Sequence, residues 1–226
     1  MSLFTNEDNL DLMRRYPDKY FDLAIVDPPY FDGPQKRKYY GKSVSTTNIK
    51  RRDYHISPPE CWIIPTKEYF DELFRVSKNQ IIWGCNNFDY IFPGAGRIIW
   101  DKCNGKSTFS DCEIAYCSLH DSVRMFRFMW NGMMQGKSIE EGHIMQGNKK
   151  LNEKRIHPTQ KPVALYEWLL TRYAKQGDII LDTHVGSGSS LVACERLGFE
   201  YVACDIDLYY YNAAIERLAK EVHRNA

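Results

Sequence analysis

Two short stretches combine residue types that can do chemistry. In the first, Asp27-Pro28-Pro29-Tyr30 follows directly on the apolar run Leu23-Ala24-Ile25-Val26. Such a run reads as a buried strand, so the carboxylate stands at its end, on the edge of the core. The two prolines fix the backbone of the corner and carry no N–H, which leaves fixed carbonyl acceptors beside the acid and the Tyr30 ring. Taken alone, the corner could equally be a strand-ending turn with a satisfied carboxylate. The second stretch is LDTHVGSGSSLVACERLGFEYVACDID, residues 181–207. A strand delivers Asp182, and a turn through Gly186 and Gly188 lets the backbone pass close to a ligand, because glycine has no Cβ. The next helix points free N–H groups into the same crevice. A second strand ends in Asp205, placed to take the two hydroxyls of a ribose. The third glycine of a dinucleotide fingerprint is missing from Gly186-Ser187-Gly188-Ser189-Ser190-Leu191, which argues against a pyrophosphate ligand. An acid ahead of the glycines suits a cationic amino group, so this stretch points to S-adenosylmethionine rather than NAD.

The elements that must position these residues alternate along the chain. Strands are expected over 22–26, 80–83, 97–100, 113–117, 179–181 and 201–204. Helices are expected over 67–78, 163–174, 189–197, ended by Gly198, and about 208–222, with Gly177 as the stop after 163–174. Strands separated by helices imply one α/β domain, residues 1–226, with a doubly wound, mostly parallel sheet and helices on both faces. Two stretches break the rhythm. Residues 34–59 form a basic loop that carries Lys36, Arg37, Lys38, Lys42, Lys50, Arg51 and Arg52 against Asp53; residues 133–156 are Gly- and Lys-rich without clear periodicity. Long irregular segments in a compact domain are usually functional or disordered.

Together these motifs resemble the amino-group (N6-adenine and N4-cytosine) DNA methyltransferases. EDNLDLMRRYPDKYFDLAIVDPPY (7–30) is similar to the family's opening segment, in which an acid some nineteen residues before the DPPY contacts the cofactor adenine; Asp8 matches it. RIHPTQKPVALYEWLL (155–170) is similar to the family's HPTQKP segment, and IIWGCNNF and IIWDKCNGKSTFSDCEIAY resemble its middle strands. The order DPPY, HPTQKP, GSG is that of the β class, a circularly permuted Rossmann-like methyltransferase fold. The resemblance implies transfer of a methyl group from S-adenosylmethionine to the exocyclic amino group of a flipped base, adenine rather than cytosine, in double-stranded DNA. Asp27 and the Pro28 carbonyl would accept the two amino hydrogens, Pro29 would hold the corner, and Tyr30 would stack on the base. Thr159 and Lys161 would hold the methionine carboxylate; Asp182, Gly186, Gly188 and Asp205 complete the cofactor set. The local alternative makes Thr159 a helix N-cap and Pro162 a first-turn proline. His184 stands where the family usually has Phe, against the cofactor pocket. The basic residues of 34–59 are candidates for DNA backbone contact, and 120–156, with Arg124, Arg127, Lys137, Lys149, Lys150, Lys154 and Arg155, is the candidate target-recognition segment.

Alternatives of other kinds remain at this level: methylation of the cytosine amino group, of RNA or of a protein amide, and a non-catalytic DNA-binding partner of another methylase. A restriction-modification setting is compatible, and a homodimer is an open option for the β class. The formal charge of +1 makes nucleic-acid affinity a matter of local charge. Seven scattered cysteines without a CxxC pair, and six histidines without ligand spacing, imply reduced thiols and no metal. No Pro-Cys dipeptide is present, so a covalent cysteine mechanism is not expected. No apolar stretch reaches the roughly 20 residues of a membrane span, and a signal-peptide layout is absent, so a cytoplasmic protein is expected.

Overall fold

The computed structural model describes residues 1–31, 33, 54–105, 110–131 and 134–225, with side chains as far as Glu221. Ten strands occur among them: β1 (Leu3–Asn6), β2 (Phe21–Val26), β3 (Ser77–Trp83), β4 (Arg97–Asp101), β5 (Cys112–Cys117), β6 (Val123–Arg127), β7 (Trp130–Asn131), β8 (Met134–Gln135), β9 (Ile179–Asp182) and β10 (Glu200–Asp205). The helices are α1 (Asn9–Met13), α2 (Lys67–Val76), α3 (Val163–Tyr173), α4 (Ser189–Leu197) and α5 (Leu208–Asn225). Eight strands form one sheet in the order β1-β10-β9-β2-β3-β5-β4-β6, and β7 pairs with β8 alone. Only β5 runs against its neighbours β3 and β4; the other pairings in the large sheet are parallel.

The strand pattern explains the layers. Successive side chains of a strand point to opposite faces. On β2, Leu23 and Ile25 join a core with Leu165 and Leu169 of α3 and Leu191 of α4. Ala24 and Val26 point the other way, into a second core with Leu12 of α1 and Phe70 and Leu73 of α2. Both faces are covered, so β2 can be apolar at every inward position. The expected doubly wound, mostly parallel sheet is present.

Several boundaries differ from the sequence expectation. The helix expected over 67–78 ends at Val76, because Ser77 already pairs with Phe21 and opens β3. Thr159 does not cap α3, and Pro162 occupies the cap position itself. The Val163 N–H is satisfied by Glu153 Oε2, at 2.9 Å. Gly177 lies beyond the end of α3, which closes at Ala174. Strand β6 was not anticipated: in VRMFR only Phe126 is buried, so the edge strand shows no alternation. Residues 32, 34–53, 106–109, 132–133 and 226 lie outside the described residues. That removes Lys36, Arg37, Lys38, Lys42, Lys50, Arg51 and Arg52 from the structural account.

Candidate active site

Strands β2 and β9 are parallel neighbours, with Ala24 opposite Leu181 and Leu23 opposite Ile180. Their carboxyl ends therefore open onto one crevice, although they come from distant parts of the chain. A cavity of about 260 Å³ sits there. Its walls include Asp8, Asp27, Pro28, Pro29, Tyr30, Thr159, Gly186 and Asp205, which joins the DPPY corner and the glycine turn in one site. Lys161, Asp182 and Gly188 do not line it.

Asp8 caps α1, with Oδ1 accepting from the Leu10 N–H at 2.8 Å. Asp205 accepts the Gly186 N–H at 2.6 Å on Oδ2 and the Asp207 N–H at 2.9 Å on Oδ1. It thereby ties the glycine turn to the end of β10, and burial pushes its carboxyl up to about 6. Gly186 has φ +54° and Gly188 +76°, the left-handed region that favours glycine. Asp182 is buried under the turn. It accepts from the Ser190 hydroxyl and, at 3.0 Å, from the His184 N–H, and burial raises its carboxyl to about 7. Asp182 thus braces the turn from below rather than presenting itself in the cavity.

Lys161 is also placed differently from the expected carboxylate contact. Its side chain is 3% exposed, and Nζ is ion-paired with Asp27 Oδ2 and, at 2.9 Å, with Glu113 Oε2 of β5. The other Asp27 oxygen, Oδ1, is buried and has no hydrogen-bond partner among the described residues. A buried acceptor left open is costly unless something else fills it. Burial raises the Asp27 carboxyl above the usual range, and Lys161 works against that rise.

Tyr30 lies with its ring centroid 5.5 Å from Phe31 and 6.4 Å from Phe88. Room for it depends on Gly84, which follows β3 at φ +71°: a Cβ there would stand 2.4 Å from Tyr30 Cδ1. His184 lines the cavity at the expected Phe position. Its Nε2 meets Asn9 Nδ2 at 3.2 Å and its Nδ1 meets Thr183 Oγ1 at 3.0 Å. Burial lowers its pKa to about 3, so the ring is neutral and adds no positive charge to the pocket.

Sequence reasoning passed over three residues of this site. Asp207 caps α5 by accepting from the Tyr209 N–H at 2.9 Å, while its Oδ2 is buried without a partner among the described residues. The signal was present in Asp205-Ile206-Asp207, a second acid two positions beyond the strand. Trp62, in a short 3-10 turn (Pro59–Trp62), stacks at 5.9 Å on His157, which packs edge-on against Tyr210 at 4.2 Å. Nothing local in Cys61-Trp62-Ile63 marks that ring as part of a pocket. Among the described residues no cluster of His, Cys, Asp and Glu could hold a metal ion, and no helix is long and apolar enough to cross a membrane.

A DNA methylase family model matches residues 124–216. The Type II methyltransferase M.HpaI of Haemophilus parainfluenzae is 27% identical over 241 residues, covering 92% of this chain and 71% of that protein. Among solved structures, the M1.HpyAVI–SAM complex superposes with a TM-score of 0.55 at 18% identity, covering 96% of this chain and 100% of that one. The cytosine-N4-specific PvuII DNA methyltransferase gives 0.56 at 14% identity, over 98% and 91%. The fold is the Rossmann-like methyltransferase fold. The cavity joins the Asp27 corner on β2 to the glycine turn after β9.

Proposed function

We propose that this chain is a site-specific DNA methyltransferase that moves a methyl group from S-adenosylmethionine to the exocyclic amino group of a flipped adenine. The observation that carries the reading is the shared cavity, whose walls bring Asp27 together with Gly186 and Asp205. The residues fit the donor. The carboxylates of Asp8, Asp205 and Asp207 on its walls suit a cationic ligand with ribose hydroxyls, and the neutral His184 does not oppose it. Asp205 and Asp207 would hold the ribose, Asp8 the adenine edge, the Gly186 backbone the chain beside them, and Thr159 the methionine end. When bound, S-adenosylmethionine supplies an electrophilic methyl on a positively charged sulfur.

The protein's part follows from the amino group's weakness as a nucleophile, since its lone pair is delocalised into the base. Asp27 accepts one N–H and the Pro28 carbonyl the other. Two fixed acceptors favour a pyramidal nitrogen with its lone pair directed away from them. Fixed dipoles aimed at developing charge need no reorganisation during reaction, and this, with positioning, is the main source of rate. The Asp27 carboxylate then takes up the proton that the methylated nitrogen sheds. Tyr30 stacks on the base, a contact worth about 1–3 kcal/mol by analogy with other base–aromatic stacks.

Adenine is favoured by Asp27 itself, since in the family the cytosine enzymes often carry Ser at that position. The order of DPPY before HPTQKP before the glycine turn supports the β class. Residues 34–59 and 120–156 supply the basic side chains for the DNA backbone and the target sequence in this reading, and a homodimer would enlarge the surface available to them. Incubation with labelled S-adenosylmethionine and separate DNA, RNA and protein substrates tests the proposal. Label in DNA, recovered on nucleoside digestion as amino-methylated deoxyadenosine, is expected. Label in deoxycytidine selects the second reading, and label only in RNA or protein overturns the first.

Two further results are expected. Gly84→Ala should drive the Tyr30 ring out of place and slow methyl transfer about 10- to 100-fold, the equivalent of the lost stack, with cofactor affinity unchanged by calorimetry. Cofactor affinity should also depend on Asp205, whose ionised form is the better acceptor. Calorimetric affinity should hold above neutrality and weaken as the pH falls through about 6. Asp205→Asn should bind weakly and show no such step.

A further inference from the structure

Four side chains of alternating charge run in line to the catalytic corner. Lys102 Nζ meets Glu113 Oε1 at 2.5 Å, Glu113 Oε2 meets Lys161 Nζ at 2.9 Å, and Lys161 Nζ meets Asp27 Oδ2. They come from the end of β4, from β5, from the segment before α3 and from the end of β2. None is more than 17% exposed. Formal charges cancel along the line, which is what lets it lie in a dry part of the sheet. Lys161 Nζ also lies 5.6 Å from the centre of the Trp83 ring, and the Lys161 carbonyl accepts from Ser189 Oγ at 2.8 Å, at the start of α4. The lysine is thus fixed from both ends, and it links the base corner to the cofactor turn.

We infer that Glu113 and Lys161 are positioning residues for the catalytic carboxylate: Lys161 occupies Asp27 Oδ2 and keeps the group ionised, Glu113 anchors Lys161, and Oδ1 is left as the acceptor for the substrate amino group. The inference rests on the methyl-transfer reading of Asp27. Its physical basis is that a buried carboxyl tends to take up a proton. A protonated Asp27 would offer a donor where an acceptor is required. Burial alone pushes Asp27 in that direction, and Lys161 opposes it. Lys161 itself stays charged: burial pulls its pKa down, but Asp27 and Glu113 together carry it well above the usual value. Burial likewise works against ionised Glu113, yet Lys161 and Lys102 hold its pKa at about 2. Among the described residues, the other ionisable groups that act on Asp27 are Tyr69 of α2, Tyr166 of α3 and Asp182 of β9. Burial keeps the two phenols protonated, so among the described residues Lys161 and Lys102 are the cations acting on the carboxylate.

The test follows the Asp27 carboxyl carbon by NMR titration of the whole protein, with Asp27→Asn to assign the signal, beside the pH profile of single-turnover methyl transfer. Lys161→Met should raise the Asp27 midpoint by about one to three pH units, and the acid limb of the rate profile should move with it. Lys161→Arg should restore most of the shift. Glu113→Gln should move the midpoint the opposite way, since a like charge is removed and Lys161 is no longer shared. Opposite displacements from the two variants cannot come from a general loss of folding, and Glu113→Gln still reads the coupling if Lys161→Met fails to fold. An unchanged Asp27 midpoint in Lys161→Met, with cofactor affinity reduced tenfold or more, would overturn the inference and return Lys161 to the methionine carboxylate. If the wild-type protein transfers no methyl group to any DNA, the methyl-transfer reading fails, while the titration still decides whether the lysine holds Asp27 ionised.

Discussion

Alanine in place of Asp27 should lower the single-turnover rate of methyl transfer about 10²- to 10³-fold, the usual cost of removing one preorganised polar group from a reacting centre. Cofactor affinity should stay near the wild-type value, because in the proposed reading Asp27 contacts the base and not the cofactor. The loss has two parts. The acceptor Oδ1 disappears, and Lys161 loses one of its two carboxylate partners. Lys161 remains paired with Glu113, so the variant does not strand an isolated buried charge and should fold. Asp27→Asn keeps the shape and one carbonyl acceptor, so a smaller loss is expected. Rapid-quench measurement with saturating cofactor separates these cases. A normal rate in Asp27→Ala would remove the carboxylate from the chemistry.

Valine in place of Gly186 should abolish most cofactor binding. At φ +54° a β-branched residue is a genuine outlier, and the left-handed conformation costs a residue with a Cβ about 1–2 kcal/mol. A Cβ alone would stand 3.7 Å from the His157 ring, an ordinary contact, so the harm comes from the backbone and from the two methyl groups beyond. Relaxing the backbone would turn the Gly186 N–H away from Asp205 Oδ2 and loosen the acid expected to hold the ribose. Calorimetry should show affinity weakened at least tenfold, about 1.4 kcal/mol or more, with far-UV circular dichroism retained. Gly186→Ala should fall between. Unchanged affinity in the valine variant would place the cofactor elsewhere.

The legible part of this molecule was the part in which one residue type meets one element end. Strands β2, β9 and β10 are short, largely apolar runs; Asp27 follows β2 and Asp205 ends β10 on the cavity wall, while Asp182 ends β9 beneath the glycine turn. Helix α4 begins and ends as expected, with Gly198 in the left-handed cap. The edges were not legible. Strand β1 is only partly buried and β6 shows one buried side chain, so neither has the alternation that marks a strand with a covered face. Helix α2 was drawn too long, since pairing of Ser77 with Phe21 overrode a helical pattern that Val76 continued. Within the site, the ion pairs of Lys161 were not legible for a related reason. Its partners Asp27 and Glu113 lie on other strands, and no spacing along the chain announces an ion pair between them. Trp62 and Asp207 join the cavity through the same kind of tertiary contact.

The most direct measurement is a crystal structure of the protein with bound sinefungin, a stable mimic of S-adenosylmethionine. The expected result places its ribose against Asp205, beside the glycine turn, and its amino group, standing for the transferred methyl, on the Asp27 side of the same cavity. A ligand seated outside that crevice, or seated with its amino group turned away from Asp27, would contradict methyl transfer at this site.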